Sequence, residues 1–113
     1  MGGKSLVLLK GTLDLLILKT LSHGPLHGYA VSLSIRKATD SVFQVDEGAL
    51  YPALRRLEKK ALMEAEWSVT DTGREAKVYH LTPAGEAELA SDLSRWHRYV
   101  HAMAQVVGGP VKT

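Results

Sequence analysis

Four cations fall within six residues: Arg55, Arg56, Lys59 and Lys60, with Glu58 among them. Like charges one helical turn apart repel by roughly a few tenths of a kcal/mol per pair, so something usually compensates. A polyanion would do so, although many such clusters are simply a solvated face. Tyr51 stands just upstream; its hydroxyl can donate to a phosphate while its ring packs beneath, or, beside Leu50, it can belong to the core. Gly48 and Ala49 are small and would let a helix N-terminus approach a backbone and offer N–H groups to phosphate. Loose capping explains them equally well. Arg74 and Lys77 follow further along.

Other chemistry is thinner. His97 and His101 have the i, i+4 spacing that can hold a metal, but no third ligand is evident and no Glu follows His97. No metal site is assigned. His23 and His27 flank Gly24-Pro25 and read as turn and cap residues. Gly3-Lys4-Ser5 resembles the end of a phosphate-binding loop, without the earlier glycine such a loop needs. With no cysteine, disulfides, thiol nucleophiles and Cys-type zinc sites are out. No Ser-His-Asp set or carboxylate pair has a defensible geometry, so neither an enzyme nor a cofactor is expected.

The residues that position this chemistry fit one domain. The chain has 113 residues, 45% hydrophobic and 23% charged, which excludes a disordered tail. The net charge is only +2, yet residues 1–60 hold nine Lys/Arg against five Asp/Glu. The first half is therefore the better candidate to meet a polyanion. The longest apolar stretch, Leu13 to Leu21, contains Asp14 and Lys19 and falls short of the about 20 residues of a membrane span. A cytoplasmic protein with no membrane partner is expected.

Thr12 can cap a first helix, apolar nearly all round, that Gly24-Pro25 ends. From His27 to about Thr39 the middle alternates like a strand, but Tyr29-Leu33 and Val31-Ile35-Ala38 also give helical spacings, and helix is favoured. Val42 to Val45 is a short loop or strand. Leu50, Leu54, Leu57 and Ala61 then mark one face of a helix from about Gly48 to Lys60, with Pro52 in or near its first turn. Met63, Ala65, Trp67 and Val69 switch to period two. A turn at Thr70–Gly73 and a second strand, Ala76 to Leu81, complete a hairpin. Thr82-Pro83 opens a last helix carrying Leu89, Leu93, Trp96, Val100, Met103 and Val107, a heptad seam that Gly108-Gly109-Pro110 stops.

This order is mainly α with a small β-hairpin: a winged helix-turn-helix over residues 8–82, then a long dimerisation helix over 83–107. In such a unit the third helix enters the DNA major groove. The expected DNA-facing set is Gly48, Ala49, Tyr51, Pro52, Arg55, Arg56 and Lys59, with Arg74 and Lys77 at the wing tip. Twenty-odd helical residues span about 35 Å, longer than a small domain needs to cover its own core. The seam from Leu93 onward is therefore expected to meet a second chain, while Leu89 can dock on its own domain.

Leu9-Lys10-Gly11-Thr12-Leu13-Asp14, Gly24-Pro25-Leu26-His27-Gly28-Tyr29 and Gly48-Ala49-Leu50-Tyr51-Pro52-Ala53-Leu54-Arg55-Arg56-Leu57-Glu58 closely resemble the PadR family of bacterial transcriptional regulators. So do Ala65-Glu66-Trp67, Ala76 to Gly85 and Trp96, in the family's order over residues 8–107. The resemblance implies a homodimeric repressor on double-stranded DNA, often responsive to a small molecule. Asp71 and Glu75 depart from the pattern by diluting the wing's positive charge. Some PadR-like proteins bind aromatic compounds near the dimer centre, which makes Trp96, Tyr99 and Met103 candidates for a small aromatic ligand; Trp96 can equally be a packing anchor. The competing class is a winged-helix module that buries its third helix against a protein partner. The cations at Arg55, Arg56 and Lys59 favour DNA, since a protein-facing helix would expose apolar residues there.

Overall fold

The computed structural model describes residues 6–9 and 11–108. Gly3-Lys4-Ser5, and the Gly109-Pro110 part of the expected helix stop, lie outside the described residues. Helix α1 spans Thr12–Leu21, strand β1 Leu26–His27, α2 Gly28–Ala38, α3 Glu47–Lys59, β2 Met63–Val69, β3 Glu75–Leu81 and α4 Pro83–Val107. The three strands form one antiparallel sheet in the order β1-β3-β2. This is a winged helix-turn-helix followed by a long C-terminal helix.

The first helix differs from expectation at its start. Gly11, at φ 88°, holds the N-cap position. Thr12 does not cap; its hydroxyl donates back to the Leu9 carbonyl at 2.6 Å. Ile17, Leu18 and Leu21 are buried, while Leu13, Leu15 and Leu16 are only partly covered. The helical reading of α2 holds because Val31 and Ile35, one turn apart, are buried while Leu33 between them is exposed. The stretch from Val42 to Val45 is loop, not strand. Ser32 Oγ donates to the Val45 carbonyl at 2.9 Å and ties that loop to α2.

Leu50, Ala53, Leu54 and Leu57 seat α3 against Ile17, Leu18, Val31 and Met63 in a single core. Pro52 lies in the second turn of α3 rather than the first. Its missing N–H leaves the Gly48 carbonyl without that helical partner, on an exposed face where solvent can take it. Strand β1 was not legible, since two residues carry no period; Leu26 pairs with Tyr79 and His27 with Val78.

The hairpin pairs Met63 with Leu81 at its base and Val69 with Glu75 near its tip. Met63 is fully buried but Trp67 is 67% exposed, so the wing projects beyond the core. Gly73, at φ 83°, supplies the left-handed residue of the turn. Thr82 caps α4 as expected, accepting from the Gly85 N–H at 3.0 Å. The same hydroxyl donates to the Ala61 carbonyl at 2.7 Å, which joins the helix start to the end of α3.

Candidate nucleic-acid interface

The buried stripe of α3 fixes where its other residues point. Opposite Leu50, Ala53, Leu54 and Leu57 lie Gly48, Pro52, Arg55 and Lys59, all exposed and about one turn apart. Arg55 and Lys59 have no acidic partner within ion-pair distance among the described residues. They are the two members of the cation cluster that face straight outward.

Arg56 lies on the flank towards α1, where its guanidinium is paired with the Asp14 carboxylate. Arg56, expected to face DNA together with Arg55 and Lys59, therefore has an acidic partner that Arg55 and Lys59 lack among the described residues. The opposite flank, towards the wing, carries Tyr51 and Glu58. Glu58 Oε1 stands 3.7 Å from Lys77 Nζ. Lys77 is not at the wing tip: it lies within β3 opposite Trp67, with its ammonium 5.9 Å from the centre of the Trp67 ring. The tip itself is Thr70 to Arg74, where the Thr70 N–H donates to the Arg74 carbonyl at 2.8 Å, and Arg74 is exposed there.

The N-terminus of α3 also departs from the reading of its sequence. Asp46 caps the helix, its Oδ1 accepting from the Ala49 N–H at 2.9 Å. That N–H is no longer on offer to a phosphate, and Asp46 and Glu47 put negative charge where an anion would have to sit. Gly48 and Ala49 are small and exposed at this helix end. Tyr51 is half-buried with its ring against Gly28; a Cβ on Gly28 would stand 3.0 Å from Tyr51 Cε1. Behind it the buried Tyr79 hydroxyl is held above its ordinary pKa by burial first and by the Glu58 charge second, with Arg55 pulling the other way. Tyr29, Tyr51, Trp67 and Lys77 line a cleft of about 280 Å³ beside α3.

The apolar seam of α4 divides in two. Leu89, at 7% exposure, fills the chain's own core and has little surface left for a partner. Leu93 is half-buried against that core. Beyond it Trp96 at 37%, Tyr99, Val100, Met103 and Val107 are exposed. Leu9 joins them, and with Trp96, Tyr99 and Met103 it lines a groove of about 320 Å³. The Trp96 and Tyr99 rings lie 6.1 Å apart, tilted by 37°. His97 and His101 are exposed, and no cluster of three metal-ligating side chains occurs among the described residues.

The sequence reading missed Asp14 and Glu58 as partners of the cations, and the exposed Leu6, Val7 and Leu9 beside α4. The apolar run Leu6-Val7-Leu8-Leu9 was the available signal for the latter.

The sequence pattern of the Transcriptional regulator PadR-like family matches residues 17–91. The chain belongs to that family. It is 34% identical over 89 residues to Uncharacterized protein X of Lysinibacillus sphaericus, covering 79% of this chain and 82% of that one. It is 42% identical over 72 residues to Transcriptional regulator Rv3488 of Mycobacterium tuberculosis, 63% of each chain. Among solved structures, a transcriptional regulator from Clostridium thermocellum superposes with a TM-score of 0.80 at 28% identity, over 87% of this chain and 95% of that one. A PadR family transcription regulator from Clostridium difficile superposes with a TM-score of 0.77 at 29% identity, over 87% and 100%. The PadR-like family is one of transcription regulators rather than enzymes. No described helix of this PadR-like regulator is long and apolar enough to cross a membrane.

Proposed function

We propose that this PadR-like regulator is a homodimeric repressor that reads a pseudo-palindromic DNA operator through the outward row of α3. Residues 8–82 act as the DNA-binding unit and residues 83–107 as the dimerisation helix, with Leu89 serving the first of these. The observation that carries the reading is the exposed pair Arg55 and Lys59, without an acidic partner among the described residues, on a helix whose opposite face is seated in the core. Arg74 at the wing tip reaches the adjoining backbone. A protein-docking role for α3 would need apolar residues in that row, and Arg55 and Lys59 stand there instead.

The exposed line Trp96, Val100, Met103 and Val107 supports a second copy of the chain as the partner of α4. A two-fold dimer must set its two reading helices about 34 Å apart, one DNA turn. The groove beside Trp96, Tyr99 and Met103 supports a flat aromatic effector held near the dimer centre, where it would bias how the two α4 helices cross.

Fluorescence anisotropy with a labelled mixed-sequence duplex at several salt concentrations tests the DNA reading. Each phosphate contact contributes about 0.9 to the slope of log affinity against log salt. Replacing Arg55 and Lys59 by Gln should flatten that slope. A slope unchanged in a folded double variant would remove α3 from the DNA interface.

A further inference from the structure

The third helix carries one ion pair on each flank, and the two reach different parts of the fold. Arg56 is tied to Asp14 in the first turn of α1, 42 residues away in sequence. Glu58 is tied to Lys77 in β3, the inner strand of the wing. Between the flanks run the outward residues Pro52, Arg55 and Lys59. Helix α1 in turn packs against α4, so one flank reaches the element that carries Trp96 only through α1, and the other reaches the wing directly.

Exposed pairs of this kind add little to folding stability. Arg56 is 48% exposed and Asp14 26%. Their effect is geometric. A helix with its side chains is about 10–12 Å across, so a roll of about 20° moves a side-chain tip by about 2 Å, enough to break a hydrogen bond. The apolar stripe of Leu50, Leu54 and Leu57 fixes the depth of α3 in the core, and the two pairs act on whatever roll that packing leaves. Two opposed pairs, one per flank, restrain roll in both directions.

We propose that Asp14–Arg56 and Glu58–Lys77 form a clamp that sets the roll of α3 on DNA. Arg56 and Lys77 are then positioning residues and not phosphate contacts. Asp14 and Glu58 become determinants of how sharply the protein separates one DNA sequence from another. The proposal rests on the reading of α3 as the DNA-facing helix.

The test uses a duplex selected by the unmodified protein from a random pool, and a mixed-sequence duplex of equal length. Arg56→Gln and Lys77→Gln should leave the salt slope on the mixed duplex unchanged while cutting the preference for the selected duplex about tenfold in affinity ratio, one well-made base contact being of that order. The charge swap Asp14→Arg with Arg56→Asp should restore most of that preference, which a lost phosphate contact would not allow. A slope lowered by about 0.9 per contact in Arg56→Gln, with no rescue by the swap, would make Arg56 a phosphate ligand and overturn the clamp. Preference unchanged in the single variants would overturn it too. If the unmodified protein binds neither duplex, the DNA reading itself fails, a result distinct from either of these.

Discussion

The carbonyl oxygen of Leu62 stands 1.9 Å from where a Cβ on Gly85 would be. The start of α4 therefore lies directly on the backbone that leaves α3. Thr82 reinforces the junction, with its N–H donating to that same Leu62 carbonyl at 3.2 Å. The long helix cannot shift here without disturbing the backbone at the end of α3.

Gly85→Ala should be among the most damaging single-methyl changes in the chain. The obstacle is backbone, which cannot swing aside as a side chain can. A loss of about 3 kcal/mol, the upper part of the usual overpacking range, is expected. Urea unfolding at fixed protein concentration measures it, and a midpoint equal to that of the unmodified protein would contradict the junction described here.

Gly28→Ala should act on the place of Tyr51 as well as on stability. The new methyl would press on Tyr51 Cε1 at 3.0 Å and Leu54 Cδ1 at 3.2 Å, both ends of side chains that can give way. The cost to folding should be about 1–3 kcal/mol. DNA affinity should fall several-fold as the Tyr51 ring is driven from its place beside α3. Anisotropy titrations on a thermally stable Gly28→Ala protein would refute a role for Tyr51 if affinity did not change.

Met103→Glu should dissociate the proposed dimer while leaving the winged helix folded. Met103 is exposed in the single chain and contributes nothing to its core, unlike Leu89 and Leu93. An unpaired carboxylate buried at a dimer centre costs several kcal/mol, roughly 3–5 by comparison with broken buried pairs. Sedimentation velocity at micromolar concentration reads the change directly. A monomer already present in the unmodified protein would exclude the dimer.

Flat aromatic compounds should quench or shift Trp96 fluorescence, measured in a Trp67→Phe background that removes the chain's other tryptophan. Ligand binding can lower DNA affinity only by preferring one arrangement of the dimer, and such couplings amount to about 1–3 kcal/mol. Compounds that bind at Trp96 without moving DNA affinity would reduce it to a packing residue.

Tyr79 should give the protein a specific weakness to alkali. Its folded-state pKa is raised, chiefly by burial. Its contribution to stability is therefore fully present below the unfolded value of about 10 and is lost as pH rises through the folded value. Tyr79→Phe should flatten the decline of stability above that pH, and parallel stability curves for the two proteins would count against the assignment.

Local patterns determined much of this protein. The alternating four- and three-residue spacing of Leu50, Leu54 and Leu57, the period of two from Met63 to Val69, the turn ending at Gly73 and the cap at Thr82-Pro83 are all properties of neighbouring residues. Each survives into the fold because the local preference and the core agree. The motif order from Leu9 to Trp96 was enough to identify the family.

What the chain could not announce were relationships between distant residues. Arg55 and Arg56 are adjacent and chemically alike, yet one faces outward and the other is held by Asp14, because successive residues on a helix point about 100° apart. Lys77 was grouped with Arg74 by sequence, but strand register sets it opposite Trp67 and within reach of Glu58. Leu89 and Leu93 belong to one seam with Trp96 by spacing; only packing divides it, because the first two lie in or against the core while Trp96 and the residues beyond it are exposed. The types of side chain on α3 follow from sequence alone, and which of them remain unpaired among the described residues was decided by what the rest of the chain brings against them.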